Sequence, residues 1–184
     1  MSDLRPWTVL SSETILDYSP WLRVIRQSVL LPNGVRIPDY LLAPARDYAM
    51  VVAVTDTREV VLVKQYKHGL GRAVLDFPAG YLDTPDEDPL ACAQRELREE
   101  TGYESVDWLA LGKWCLDSNR SETSVHFFLA RHIQLAARPK LDETEALVHL
   151  TVPVHDLPAL FHSGDLPTVS GPAIWGLAEP YLFD

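Results

Sequence analysis

Apolar residues occur in short runs along most of the chain, separated by clusters of turn-forming residues. Residues 7–15 and 22–31 read as strands, Pro32-Asn33-Gly34 turns the chain, and residues 35–42 return as the second arm of a hairpin. Ala43-Pro44-Ala45-Arg46 breaks the pattern and marks a boundary near residues 44–47. Residues 50–54 and 60–63 are unbroken apolar runs on either side of a polar stretch. Runs of that kind belong to strands covered on both faces. Further strands are expected over 108–115, 125–135 and 146–152, and helices over 155–161 and 171–182, the last interrupted by Pro180. Strands around a central helix, with more helix at the end, predict an α/β fold of mixed strand order. The expected organisation is an N-terminal strand extension over residues 1–45 and a main domain over 46–184.

The central helix is the best delimited element. Asp88 can cap exposed amides and Pro89 suits the first turn, while Gly102 accepts the left-handed conformation that ends a helix. At about 100° per residue, Leu90, Ala93, Leu97 and Thr101 share one face and should pack on the core. Glu96, Glu99 and Glu100 gather on an adjoining face, within one turn of each other. Like charges so placed repel, and a hard divalent cation, which prefers carboxylate oxygen, relieves the repulsion. A solvated acidic face offset by Arg95 and Arg98 is the plainer alternative. The flanking Pro78-Ala79-Gly80 loop, Glu87 and Gly102 weigh against it.

Composition narrows the field. At 184 residues the chain can bury a full core, and 47% hydrophobic with 23% charged residues describes an ordinary globular protein. A formal charge of −10 opposes general nucleic-acid binding, which needs a basic surface. An acidic enzyme acting on an anion needs local positive charge or a metal. No apolar run is long enough to span a bilayer, and residues 1–18 lack a signal-peptide pattern, so the expectation is a cytoplasmic protein without a membrane partner. Cys92 and Cys115 are too few for a disulfide framework or zinc site and read as reduced packing residues.

The stretch GYLDTPDEDPLACAQRELREETGY, residues 80–103, resembles the Nudix box. Gly80, Glu87, Arg95, Glu96, Leu97, Glu99, Glu100, Gly102 and Tyr103 all take the residue types of that pattern. Six residues, rather than the usual five, separate Gly80 from Glu87, and the extra one falls in the turn-rich Asp83-Thr84-Pro85-Asp86. The resemblance implies a Nudix-type α/β/α sandwich with a mixed sheet and an N-terminal antiparallel strand extension. VLVKQYKHGLGRAVLDFPAGYLD, residues 61–83, is similar to the ADP-ribose pyrophosphatase branch, whose members carry a Gln-Tyr-basic stretch before Pro-Ala-Gly. In that branch the extension helps form a homodimer and part of the nucleoside pocket.

The function so implied is metal-dependent hydrolysis of the pyrophosphate of ADP-ribose or a related nucleoside diphosphate sugar, with Mg²⁺ the expected ion and Mn²⁺ the alternative. By motif position Glu96 and Glu100 are the implied metal ligands, with Glu99 acting directly or through water, the Ala79 carbonyl as backbone ligand, and Arg95 holding the glutamates. Glu87 takes a structural or outer role. The general base is expected from the acidic loop Leu141-Asp142-Glu143-Thr144-Glu145, Glu145 first and Glu143 second, with Glu99 in reserve. Val148 stands where this branch usually has another acid. Lys64, Lys67, His68 and Arg72 supply positive charge for phosphates, Lys67 foremost, and Trp21 resembles an aromatic that stacks on the base in some dimeric members of the branch. The branch's Ser-Pro-Gly-like loop is replaced here by Cys115-Leu116-Asp117-Ser118-Asn119-Arg120-Ser121-Glu122, where Arg120 and Asn119 are candidates for a phosphate or sugar hydroxyl. That departure leaves GDP-mannose or UDP-glucose open as substrates. A non-catalytic nucleotide-sugar sensor is opposed by the intact glutamates and by the lack of a basic appendage.

Overall fold

The computed structural model describes residues 4–141, 143–144 and 146–182. It divides into two compact units, Met1–Arg46 with Cys115–Ser124, and Asp47–Trp114 with Val125–Asp184. In the first unit β1 (Thr8–Tyr18), β2 (Leu22–Leu30) and β3 (Arg36–Leu42) form an antiparallel sheet in the order β1-β2-β3. β1 outruns its apolar stretch because pairing continues to Tyr18↔Leu22 at a tight turn. It is exposed along its whole length, Val9, Leu10, Ile15 and Leu16 included, as is Trp7 just before it. The Ala43 amide bonds to the Arg120 carbonyl at 2.8 Å, and Trp7 meets Tyr40 edge-on at 5.7 Å.

The second unit holds β4 (Tyr48–Val54), β5 (Glu59–Lys67), β6 (Arg72–Asp76), β7 (Ala79–Tyr81), α1 (Pro89–Thr101) and β8 (Tyr103–Glu104). β9 (Asp107–Cys115), β10 (Ser124–Arg131), β11 (Gln134–Leu135), β12 (Leu147–Pro153), α2 (Leu157–Ser163) and α3 (Ser170–Ala178) follow. The main sheet runs β12-β5-β4-β10-β9, with β6 beside β5 and β7 beside β4, and β8 pairs with β11 separately. β10 lies parallel to β4, from Val125↔Tyr48 to Ala130↔Ala53, whereas β5 and β12 are antiparallel, so the sheet is mixed.

Alternation along the two apolar runs sends side chains to opposite faces. Val52, Val54, Val60 and Leu62 join Phe127 and Leu129 under Leu157, Ile174, Trp175 and Ala178 of the later helices. Ala49, Val51, Ala53 and Val61 meet Cys92, Ala93 and Leu97 of α1. Each large side chain fully buried there contributes roughly 1.5–3 kcal/mol. Alanines on both sides let α1 approach the sheet closely. The result is the expected sandwich of helix, mixed sheet and helix, with an antiparallel N-terminal sheet. Among the described residues no helix is long and apolar enough to cross a membrane.

Local differences from the sequence pattern have identifiable causes. β5 extends to Lys67 because its polar end pairs with β6, from Val63↔Asp76 to Lys67↔Arg72, and β6 itself, with three apolar residues between Arg72 and Asp76, is too short to stand out. The run 125–135 is not one strand: β10 ends at Arg131, and His132 at φ 53° turns the chain into β11. Pro180 starts a 3₁₀ turn, Glu179–Tyr181, rather than interrupting α3. Cys92 is buried as expected, but Cys115 is exposed.

Candidate active site

The site is set by how α1 is pinned at both ends. Asp88 caps it, its carboxylate accepting from the Leu90 amide at 3.2 Å, with Pro89 at the first turn. Gly102 closes it at φ 76°, its amide bonding to the Arg98 carbonyl at 2.9 Å. A side chain at Gly102 would meet the Ala137 carbonyl oxygen at 2.3 Å, so the stop is required by packing as well as by backbone. The axial position of the glutamates is thereby fixed.

Leu90 packs at the edge of the core, and Ala93, Leu97 and Thr101 are fully buried, as the helical period requires. Glu96 and Glu100 are also buried, at 8% and 3% exposure, so the acidic face is not simply a solvated one. The loop entering and leaving β7 covers them. The Ala79 amide donates to Glu100 Oε2 at 3.1 Å, and the Gly80 backbone lies directly over Glu96. A Cβ on Gly80 would stand 2.0 Å from the Glu96 carboxylate. The glycine therefore forms a floor that the carboxylate occupies.

Arg95 organises the remaining charges. Its Nη1 donates to Glu96 Oε1 at 2.6 Å and reaches Glu99 Oε2 at 3.4 Å, while Nη2 donates to the Tyr81 carbonyl at 3.2 Å. Nε is buried without a hydrogen-bond partner, facing Glu87 and Asp83 at 3.6 and 3.7 Å. Burial works against the guanidinium charge, but contact and hydrogen bonding with Glu96 outweigh it and hold its pKa above the ordinary arginine value. Glu87 also accepts from the Asp83 amide at 2.6 Å, closing the lengthened turn on itself. Asp83 was not anticipated as a partner of Arg95; its place just after Gly80-Tyr81-Leu82 is the available sequence signal.

A second feature missed from sequence is Asp76, three residues before Ala79. It is 7% exposed and accepts from the Phe77 amide at 3.0 Å and the Thr168 hydroxyl at 3.2 Å. Burial raises its pKa, opposed by Lys67 and these hydrogen bonds. A lone acid closing the apolar run Ala73-Val74-Leu75 is a recognisable sign.

Ala79, Arg95, Glu96, Glu99 and Glu100 are thus brought together. Lys67 ends β5 next to the β6 turn, and the carbonyl of Glu99 accepts from the Lys140 amide at 2.8 Å, which brings the start of the acidic loop to the last turn of α1. Glu143 in that loop is exposed, while Asp142 and Glu145 lie outside the described residues. Trp21, 78% exposed at the β1–β2 turn, and Arg120, 3.9 Å from Asp117, belong to the first unit.

Among the described residues no three Asp, Glu, His or Cys side chains are already grouped around one point. The donor chemistry nonetheless fits a hard divalent cation: carboxylate oxygens, two of the three groups buried against the Ala79-Gly80 backbone, with Glu99 partly exposed beside them.

A layered α/β/α core whose central helix presses paired glutamates against a glycine loop defines the Nudix hydrolase class. The chain belongs to this family: residues 44–170 match the NUDIX domain and residues 7–40 the nucleoside diphosphate sugar hydrolase N-terminal domain. It is 36% identical over 137 residues to the ADP-ribose pyrophosphatase of Mycobacterium tuberculosis, covering 74% of this chain and 65% of that protein, just under two thirds. It is 32% identical over 141 residues to the ADP-ribose pyrophosphatase of Bacillus subtilis, covering 76% and 75%. The crystal structure of an ADP compounds hydrolase superposes with a TM-score of 0.88 at 25% identity over 99% of this chain and 97% of that one. Nudix hydrolases generally use divalent metal ions.

Proposed function

We propose that the chain hydrolyses the pyrophosphate bond of ADP-ribose or a related nucleoside diphosphate sugar, giving a nucleoside monophosphate and a sugar phosphate. The observation carrying this reading is the pair of buried glutamates, Glu96 and Glu100, held against the Ala79-Gly80 backbone in a chain that also carries the nucleoside diphosphate sugar hydrolase N-terminal domain. Glu96, Glu100, Glu99 and the Ala79 carbonyl would hold Mg²⁺, with Mn²⁺ as substitute. When bound, the cation neutralises phosphate oxygens and makes water more acidic.

The chain's own residues supply the rest. Arg95 fixes Glu96, so the carboxylate spends no energy finding its orientation. Lys67 attracts the substrate's phosphates. A water oxygen bonds to one phosphorus, the bridging P–O bond breaks, and the bridging oxygen leaves on the other phosphate. The proton of that water passes to a carboxylate, Glu145 in the first instance, with Glu143 and Glu99 next. Trp21 offers a flat face to the base, and Arg120 a contact for phosphate or sugar. The exposed apolar residues of β1, Val9 and Leu10 among them, with Trp7 just before the strand, fit a homodimer contact, since an open strand edge is an aggregation hazard for a monomer. The residues 115–122 lack proline and glycine, which favours a nucleotide sugar such as GDP-mannose or UDP-glucose as the second reading.

The test is a panel of ADP-ribose, nucleotide sugars, dinucleotides and nucleoside triphosphates with Mg²⁺, resolved by product. Cleavage of an NDP-sugar to NMP and sugar phosphate is expected. Preference for triphosphates overturns the substrate class.

A further inference from the structure

β6 leads directly into the box loop and is braced by a segment far along the chain. One edge pairs with β5, from Lys67↔Arg72 to Val63↔Asp76. Residues 164–168, between α2 and α3, follow it as well. Arg72 Nη2 donates to the Gly164 carbonyl at 2.8 Å, the Leu75 amide to the Asp165 carbonyl at 2.8 Å, and the Thr168 hydroxyl to Asp76 Oδ1 at 3.2 Å. Leu166 is buried in the same apolar cluster as Phe77, and Ser170 shares a side-chain hydrogen bond with Tyr48 at the start of β4.

Asp76 is where this brace meets the loop. Its Oδ1 accepts from both the Thr168 hydroxyl and the Phe77 amide, at 3.2 and 3.0 Å. Beyond Phe77 the backbone is fixed step by step. The Val51 amide donates to the Pro78 carbonyl at 3.0 Å, Gly80 pairs with Ala49, and the Leu82 amide donates to the Asp47 carbonyl at 3.0 Å. Bonded residues alternate in an antiparallel ladder, so Pro78, Gly80 and Leu82 face β4 and Ala79 turns its amide and carbonyl away from it. The amide goes to Glu100 Oε2 at 3.1 Å. The Phe77 end of the same stretch is set by Asp76. That carboxylate is only 7% exposed, and a buried carboxylate is costly unless donors fill its oxygens. Without the Thr168 hydroxyl it would turn towards water, and the Phe77 amide would lose its partner.

We propose that Thr168 is a positioning residue for the box: by holding Asp76 against the Phe77 amide, it keeps the Ala79 carbonyl where a divalent cation would be held. This rests on the proposed metal site and adds to it a residue 92 positions beyond Asp76. The Thr168 hydroxyl acts through Asp76 and the loop rather than on the ion.

The experiment titrates full-length protein with Mn²⁺, following the free ion by electron paramagnetic resonance, alongside calorimetric melting. Thr168→Val should weaken Mn²⁺ binding by about threefold to tenfold, less than the ~10–100-fold lost with a group bonded directly to a metal ligand. Thr168→Ser, which keeps the hydroxyl, should restore it. Asp76→Ala should weaken binding at least as much as Thr168→Val, and the double variant no more than Asp76→Ala alone, because both changes break one connection. If Asp76→Ala fails to fold, the two Thr168 variants decide. A lowered melting temperature in Thr168→Val with unchanged Mn²⁺ affinity would mark a structural contact only and overturn the proposal. So would a loss shared by Thr168→Ser, or one that adds in full to Asp76→Ala. Glu100→Gln separates the two levels. If it leaves Mn²⁺ binding unchanged, the proposed metal site fails and the role of Thr168 with it; if it abolishes binding while Thr168→Val does not weaken it, the role of Thr168 alone fails.

Discussion

Replacing Gly80 by alanine tests the site with a single carbon. The new Cβ would lie 2.0 Å from both Cδ and Oε1 of Glu96, where 3.4 Å or more is ordinary contact, so one partner must withdraw by about 1.4 Å. The Gly80 backbone is held by pairing with Ala49 in the sheet, whereas the Glu96 carboxylate is the end of a flexible side chain. The carboxylate should therefore move and the fold remain. Its displacement weakens the 2.6 Å contact with Arg95. A charge-assisted hydrogen bond contributes roughly 1.5–3 kcal/mol, and partial exposure of Arg95 trims the expected loss to about 1–2 kcal/mol. In a domain of this size each kcal/mol lowers Tm by about 2–4 °C. Activity should fall far more, since misplacing a catalytic group by ~1 Å costs on the order of 10²-fold. The assay is NMP release from the preferred nucleotide sugar across a Mg²⁺ titration, alongside calorimetric melting. Gly176→Ala is the control: nothing lies within 4 Å of its added Cβ in α3, so it should be neutral or stabilise by up to ~1 kcal/mol. A folded Gly80→Ala protein with kcat and metal requirement unchanged would refute the placement of Glu96 in the site.

Glu100→Gln keeps an oxygen to accept from the Ala79 amide, so it should fold normally yet lose at least ~10²-fold in kcat/KM with Mg²⁺; near-normal turnover would remove Glu100 from the machinery. Glu145→Gln should depress kcat by ~10²–10⁴-fold and Glu143→Gln much less, whereas equal losses would indicate a shared electrostatic role and no loss from either would shift the base to Glu99. Asp76 has a folded pKa raised above its ordinary 3.8, chiefly by burial, so its contribution to stability is greatest below that value and is lost as pH rises through the folded pKa. Asp76→Asn should therefore gain on wild type in urea midpoint between acidic pH and pH 7, then level off, and a difference independent of pH would contradict this. Burial pushes the Cys92 thiol up to about 12, and the residue is inaccessible, so only exposed Cys115 should react with a disulfide reagent at pH 8 until denaturant is added.

How much was legible in the chain depended on whether the cause was local. The limits of α1 could be read because a cap at Asp88, Pro89 in the first turn and a left-handed Gly102 act within a few residues of themselves. The strands over 50–54 and 60–63 could be read because burial on both faces leaves no polar position. β6 could not, since its identity rests on pairing with β5 rather than on its own composition. Nor could the break at His132, because a positive φ at a histidine leaves no mark in hydropathy. The box glutamates show the same division: periodicity grouped Glu96, Glu99 and Glu100 correctly. It could not show that a loop some twenty residues upstream would bury two of them and leave Glu99 half exposed.

That burial decides what the site can and cannot do unaided. Arg95 pairs with Asp83, Glu87, Glu96 and Glu99 together, and Glu100 adds a further negative charge one residue beyond. One guanidinium cannot balance five carboxylates, so the surface a pyrophosphate would meet is strongly negative. Two like charges 4 Å apart at an effective dielectric near 20 repel by about 4 kcal/mol. The substrate brings more than one charge. Lys67, at the end of β5, supplies a single positive charge from outside the helix and cannot reverse the sign alone. A divalent cation seated among the glutamates can, and the same excess charge is what would attract it. The charge count of the folded chain is thus what supports the proposed metal dependence, beside the general use of divalent ions by Nudix hydrolases. The one-residue insertion after Gly80 leaves this balance intact, because Glu87 and Asp83 still face Arg95 while the Glu87 amide bonds back to the Thr84 carbonyl and the extra residue is taken up within that turn.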